Sequence, residues 1–355
     1  MADKNGAGKS ESGGRAAIGA TAIKPDTKEG FAGFLEFLFN KKTGEVLGRS
    51  AKSWAQITLF YIVYYSCLAA FWAAMMAAFL KISIKDEAPR WTLDESLIGS
   101  RPGLGIKPSQ HSDSLDSTII YLDTTTYEAP TNCDDAGLKS NKGYHCSIQK
   151  FLETNFNESI GTDCSDEQDA KDAFRAMTWC KPDKGGLGEC GEAPYGYQPQ
   201  GNTVSPCVFI KLNKIYNASP KGIKQVVGDA LESDEALISD IKTKDATRYN
   251  SIKDNIEKAA DSPAFIDCQG EYPADREALA KGGMKYFPEN KAYDAFSFPM
   301  YTTKGSPSPV VAVKFNNLPV GQLVHVICHT YYSGVVHNKK NKQGFVQFQL
   351  FVNPK

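Results

Sequence analysis

Between Lys52 and Lys81 the chain runs for 28 residues without a charged side chain. A helix rises 1.5 Å per residue and the hydrocarbon core of a bilayer is about 30 Å thick, so about 20 apolar residues are enough to cross it. This run does so with room for tilt, and every other apolar run in the chain is short. A cleaved secretory signal would have an apolar stretch of about 7–15 residues close to the N-terminus. Here about 50 mostly polar residues come first, and no small-residue cleavage site follows. The sequence therefore predicts a retained signal-anchor helix over 54–80, a tail over 1–53 and a large domain over 81–355.

The flanking charges orient the helix only slightly: Lys41, Lys42, Arg49 and Lys52 precede it, while Lys81, Lys85 and Arg90 follow. The cysteines decide. Of nine, Cys67 lies in the span and the other eight (Cys133, Cys146, Cys164, Cys180, Cys190, Cys207, Cys268 and Cys328) all follow it. An even set confined to one side fits disulfides formed in an oxidising compartment. The two N-x-[ST] sequons, at Asn157 and Asn217, lie on that same side and are expected to be glycosylated. The expected topology is single-pass type II in the plasma membrane, with a cytoplasmic N-terminus and the C-terminal domain outside.

Residues 1–30 are rich in Gly, Ala, Ser and Lys and read as a disordered tail. "GAGKS" (6–10) ends like a phosphate-binding loop, but Asp3 stands where the first glycine is needed and no strand precedes it. "FAGFLEFLFNKK" (31–42) places apolar residues at 31, 34, 35, 38 and 39, a helical stripe suited to the inner membrane surface. Beyond the span, "CVFIKLNKIY", "PVVAVKF", "QLVHVICHTYY" and "GFVQFQLFV" alternate as strands, with a turn signal at "NNLPVG". Several such runs predict a mainly-β, immunoglobulin-like β-sandwich stapled by disulfides. The charged stretch 224–258 spaces Leu231, Leu237, Ile238, Ile241, Ile252 and Ile256 helically, which predicts an amphipathic helical insertion.

Net charge is −1, which offers nothing to nucleic acid. No catalytic constellation stands out: neither H-E-x-x-H nor G-x-S-x-G occurs. His325 and His329 fall in an alternating strand, about 13 Å apart on one face, too far for a shared metal and expected to be surface or half-buried. "CSDEQDAKD" (164–172) lacks calcium-loop spacing and reads as a turn and helix start. No catalytic residue, metal ligand or cofactor is expected.

Several separated stretches carry a resemblance. "FLFNKKTGEVLGRSAKSW" (37–54) resembles the cytoplasmic signature of the β subunits of the Na,K-ATPase and H,K-ATPase, through Phe39-Asn40, Gly48-Arg49 and Trp54. "FYIVYYSCLAAF" is similar to that family's aromatic membrane segment, and "PGLGIKP" to its stretch just outside the membrane. "CKPDKGGLGEC" (180–190) and "YGYQPQGNTVSPCVFIKLNKIYN" continue the likeness, which extends to Cys328 and the final strands. Met177 and Gly191 depart from the pattern, as do Cys133, Cys146 and the long 207–268 interval. The resemblance implies the disulfides Cys164–Cys180, Cys190–Cys207 and Cys268–Cys328, leaving Cys133–Cys146 as an additional pair.

The resemblance also implies a non-catalytic role. Such a subunit binds the catalytic α subunit of a P-type Na⁺/K⁺ pump, stabilises it, carries it to the plasma membrane and tunes K⁺ transport. The span lacks the polar groups of an ion pathway, which agrees. Membrane lipid is a second partner, and a small single-span regulatory subunit is left open as a third. The alternatives are a stand-alone type II adhesion glycoprotein, an ectoenzyme of the same topology and, within the family, a proton/potassium pump subunit.

At about 100° per residue, Tyr61, Tyr64, Tyr65, Leu68, Phe71, Trp72, Met75 and Phe79 fall on one face of the span, with Ser66, Ala69, Ala70, Ala73, Ala74 and Ala77 opposite. The resemblance assigns Tyr61, Tyr64 and Tyr65 to contact with a membrane helix of the catalytic subunit.

Overall fold

The computed structural model describes residues 34, 37–40, 44–84, 90–97, 99–109, 118–125, 127–130, 133, 140–157, 161–166, 168–169, 172–173, 176, 178–227, 230–259, 262–300 and 306–354. The chain divides into two compact units, Met1–Ala88 and Pro89–Lys355.

In the first unit a small hairpin leads into one long helix. Strand β1 (Phe39–Asn40) pairs antiparallel with β2 (Glu45–Val46). Gly44 takes φ 68°, and its N–H donates to Asn40 O at 2.8 Å. Leu47 and Gly48, at φ 54° and 71°, then reverse the chain so that Val46 and Arg49 exchange backbone hydrogen bonds. Helix α1 (Ala51–Ser83) follows, and the Trp54 indole N–H donates to Val46 O at 2.9 Å, tying the hairpin to the first turn. Of the stripe predicted over 31–42, Phe34, Phe37 and Leu38 are helical, but Phe39 and Asn40 form β1. The left-handed positions that follow demand a hairpin, which local apolar spacing does not reveal. The remaining residues of the stripe, and the tail 1–30, lie outside the described residues.

The second unit is built on two four-stranded sheets. One has the order β3 (Leu104–Lys107), β5 (Cys207–Leu212), β10 (Val310–Phe315), β9 (Met284–Phe287). The other has β4 (Ile119–Asp123), β12 (Phe345–Asn353), β11 (Leu323–Tyr331), β8 (Phe265–Gly270). All pairs are antiparallel except β4 with β12. Both sheets feed one core: Val208, Ile210, Val313 and Phe315 from the first, Val326, Phe348 and Leu350 from the second. The rings of Phe315 and Phe348 meet edge to face, 5.9 Å apart, so the sheets stack as a sandwich.

Helix α2 (Ser140–Asn155) closes the edge of β4. Asn141 Oδ1 accepts from Asp123 N at 2.9 Å, and its amide donates to the carbonyls of Asp123 and Tyr197. The Tyr144 hydroxyl accepts from Tyr121 N at 2.8 Å. Side chains thus supply the hydrogen bonds that a further strand would have made.

The stretch 224–258 is only partly the helical insertion its spacing predicts. It opens as a hairpin, β6 (Lys224–Val227) with β7 (Ala230–Ser233), before α3 (Glu235–Lys244) and α4 (Ala246–Lys258). Val226-Val227-Gly228-Asp229 is itself a hairpin signal, because Gly-Asp suits a tight turn between β-formers. Asp234 caps α3 and Asp245 caps α4, each accepting from the backbone three residues on. Ile241, Ile252 and Ile256 pack with Phe265 and Tyr331 in a second small core. Helix α5 (Pro273–Gly282) joins β8 to β9.

Candidate functional site

None of α1 is buried within the chain, although it carries the largest set of exposed aromatic side chains in the protein. Helical spacing sorts them into rows. Tyr61 stacks on Tyr65 with ring centroids 5.9 Å apart, and Phe60 stacks on Tyr64 at 6.2 Å. Edge contacts cross-link the rows, Phe60 to Tyr61 at 5.5 Å and Tyr64 to Tyr65 at 5.3 Å. The three tyrosines are therefore one aromatic block over two turns, with mutual ring contacts that hold each side chain's direction.

The two rows face different surroundings. Tyr61 and Tyr65 border a shallow open groove with Trp54, Ile57, Thr58, Ile62, Ser66 and Ala69. Thr58, Ser66 and Ala69 are the small residues of its lining, where a helix could approach the backbone closely. Tyr64 lies outside that groove, in the row with Phe60. A hydroxyl among hydrocarbon favours a protein acceptor over lipid, and the tyrosine rim adds such groups to those of Thr58 and Ser66.

The eight cysteines after the span form four disulfides: Cys133–Cys146, Cys164–Cys180, Cys190–Cys207 and Cys268–Cys328. Each staples a different joint. Cys268 and Cys328 are directly opposed partners in the β8–β11 register. Cys190–Cys207 fastens the 3-10 turn Gly185–Cys190 to the start of β5. Cys146 sits on α2, the helix that closes the β4 edge. Cys67 is a free thiol on the exposed surface of α1. Asn157 and Asn217 are both exposed, Asn157 just past α2 and Asn217 at φ 60° in a turn.

One polar network escapes motif reading. Arg248 on α4 donates through Nε to the Tyr331 hydroxyl, and its terminal nitrogen lies 3.1 Å from His337 Nδ1. His337 Nε2 lies 2.9 Å from Thr330 O, so the ring donates there and accepts from Arg248. Burial and the Arg248 charge push His337 down to about 4. His329, itself buried rather than half-buried, is pushed down to about 2, by burial first and by its neighbours Arg248, His337 and Lys339 after it. Asp267 is buried beside them, bound by Lys291 at 2.6 Å and Ser251 at 2.9 Å. Burial still holds its carboxyl above the usual range. His325 lies 3.5 Å from Asp275, on α5, and is not part of this cluster. The network contains no nucleophile and base aimed into a cleft; it fastens α4 to β8 and β11. Its only sequence signal is polar residues at positions where the strand pattern calls for apolar ones. Among the described residues no group of His, Cys, Asp and Glu is arranged to hold a metal.

Residues 24–348 match the family described as "Sodium / potassium ATPase beta chain". The sequence is 27% identical to "Sodium/potassium-transporting ATPase subunit beta-2" of Drosophila melanogaster, across 90% of this chain and 91% of that protein. It is 28% identical to the Drosophila beta-1 subunit, across 90% and 93%. It is 30% identical to a Caenorhabditis briggsae protein described as "Probable sodium/potassium-transporting ATPase subunit beta-3", across 95% and 90%.

Proposed function

The chain belongs to the sodium/potassium ATPase beta chain family, and from that premise we propose that it is the non-catalytic β subunit that binds the catalytic α subunit of a Na⁺/K⁺ pump, stabilises it, carries it to the plasma membrane and adjusts K⁺ transport. The observation that carries this reading is the reach of the match. It takes in the hairpin, α1 and nearly all of the sandwich, so it spans both parts of such a subunit.

The physical features fit the role. A helix 33 residues long, with an 18-residue stretch of mean hydropathy 1.7 and no buried residue, must find its environment elsewhere. Lipid supplies most of it. The Tyr61–Tyr65 row and the small residues beside it suit a partner helix, with tyrosine hydroxyls bonding across the contact. The sandwich, with four disulfides and sequons at Asn157 and Asn217, fits an exterior position in a type II topology, with 1–53 in the cytoplasm, 54–80 in the membrane and 81–355 outside. Glycans on those two asparagines are part of this reading.

The test is co-purification from mild detergent. A large multi-span ATPase should accompany the chain in a fixed ratio, and its ion requirement distinguishes a Na⁺/K⁺ pump from a proton pump. A chain that elutes alone would overturn the reading.

A further inference from the structure

On β3 and β5 and just past β5 lie three half-buried lysines that no carboxylate among the described residues answers. Lys107 ends β3, Lys211 lies in β5, and Lys214 follows β5 by two residues. The register places Gly105 opposite Lys211 and Lys107 opposite Phe209, so Lys107 and Lys211 share one face of the sheet. The cations are close enough to repel: beyond the effect of burial, Lys211 lowers both Lys107 and Lys214 from the usual lysine range. Among the described residues, the hydrogen bonds of these ammonium groups go to neutral acceptors. Lys107 donates to Ser109 Oγ at 3.2 Å, and Lys214 donates to Ser306 O at 2.6 Å and Ser306 Oγ at 3.1 Å. The chain carries 41 acidic against 40 basic residues, so carboxylates are not in short supply. Partial burial of uncompensated like charges costs free energy, and the cost is recovered where an anion binds.

Two glycines, Gly103 and Gly105, lie beside these lysines. A Cβ at Gly105 would lie 2.9 Å from Lys211 Cε and 3.2 Å from Asn213 Oδ1, and one at Gly103 would lie 3.3 Å from Asn213 Nδ2. The glycines let the Lys211 stem and the Asn213 amide lie close against β3. Asn155 exchanges hydrogen bonds with Ser308 at 3.0 and 2.6 Å, which fixes the end of α2, two residues before Asn157, close in sequence to the Ser306 that Lys214 holds.

We propose that Lys107, Lys211, Lys214 and Asn213 form an oxyanion site for the sulfate or carboxylate groups of an acidic glycan. Lys107 and Lys211, on one face of neighbouring strands, offer two ammonium groups to the acidic groups of a saccharide, and the Asn213 amide beside Gly103 offers a neutral donor. The glycan comes either from Asn157 of this chain or from a separate molecule. The proposal rests on the exterior placement argued above only for its supply of ligand. Binding is measured on the chain alone, so failure of pump assembly leaves it standing, and failure to bind leaves pump assembly standing.

The test uses the full chain in neutral phosphatidylcholine nanodiscs and a fluorescent heparin tetrasaccharide. Binding of the wild type should saturate. Lys107→Gln, Lys211→Gln and Lys214→Gln should each weaken it about tenfold, the worth of one charge-assisted hydrogen bond. A matched set at exposed positions (Lys184→Gln, Lys253→Gln, Lys340→Gln) should change it less than about twofold. Gly105→Ala keeps every charge but displaces the end of Lys211, and should weaken binding severalfold with an unchanged thermal melt. Asn157→Gln assigns the source: tighter binding of the added tetrasaccharide means the chain's own glycan occupies the site, and unchanged binding means a separate one does. Non-saturable binding, or equal losses in the two lysine sets, would overturn the proposal.

Discussion

The guanidinium of Arg248 lies over the ring of Tyr331, 5.0 Å from its centroid, while its Nε donates to the hydroxyl of the same residue. One side chain of the inserted helix thereby uses both the face and the edge of a strand residue that is fully buried. Removing it leaves the Tyr331 hydroxyl without its donor and exposes the second small core. Arg248→Ala should cost about 2 kcal/mol, a drop of roughly 4–8 °C in melting temperature for a domain of this size. Hydrogen exchange should localise the damage to α4 and leave β5 and β10 protected. Uniform loss of protection would mean the helix is not a separable layer.

The same contact sets an acid sensitivity. His337 is faced by Arg248, His329, Tyr331, Asp240 and the Thr330 carbonyl, and sits near 4 when folded, against about 6.5 unfolded. A histidine depressed in the fold stabilises fully above the unfolded value and loses that contribution as pH falls towards the folded one. Stability should therefore fall between pH 6.5 and about 4, by about 1.4 kcal/mol per pH unit from His337 alone. His329 adds to the same window and continues below it. Asp267, raised by burial, acts in the opposite sense. Denaturation midpoints over pH 7.5 to 4.5 check this, and His337→Gln should flatten the curve.

Cys268 and Cys328 close an interval of 60 residues and lie buried between the sheets. The loop-entropy model assigns that bridge about 4 kcal/mol, against about 3 for Cys164–Cys180 with its separation of 16. Paired Cys→Ser replacement at 268 and 328 should block delivery to the cell surface, and the 164 and 180 pair should permit some. Surface biotinylation reads the difference.

On α1 the groove separates what helical spacing had joined. Tyr61→Leu with Tyr65→Leu should reduce co-purification of the catalytic subunit more than Phe60→Leu with Tyr64→Leu, and both more than Ala73→Leu. A ranking led by Ala73→Leu would move the partner to the alanine face.

Much of this was readable in residue order. Phe348, Leu350 and Val352 alternate into the core while Gln347 and Gln349 do not, because a strand's period is two wherever one face is buried. The uncharged run announced α1 for a similarly simple reason. What escaped was α2, "SNKGYHCSIQKFLETN", whose buried positions include Asn141 and His145. A polar residue is buried when a specific partner waits for it, and here the partners are the β4 backbone for Asn141 and the Tyr127 hydroxyl for His145, which no local pattern announces. The lysine pair was hidden likewise: Lys107 and Lys211 are separated by about a hundred residues and come to one face only through the β3–β5 register.

The closure of β4 by Asn141 and Tyr144 bears on life at high density. Subunits confined to a membrane meet one another far more often than molecules free in solution. An open strand edge there would be a template on which copies could add indefinitely. Side chains cannot extend such a ladder, since they end it with groups that have nothing further to offer. The bridge from Cys133 to Cys146 on the same helix secures that stop. Crowding then finds no ladder to extend at the β4 edge.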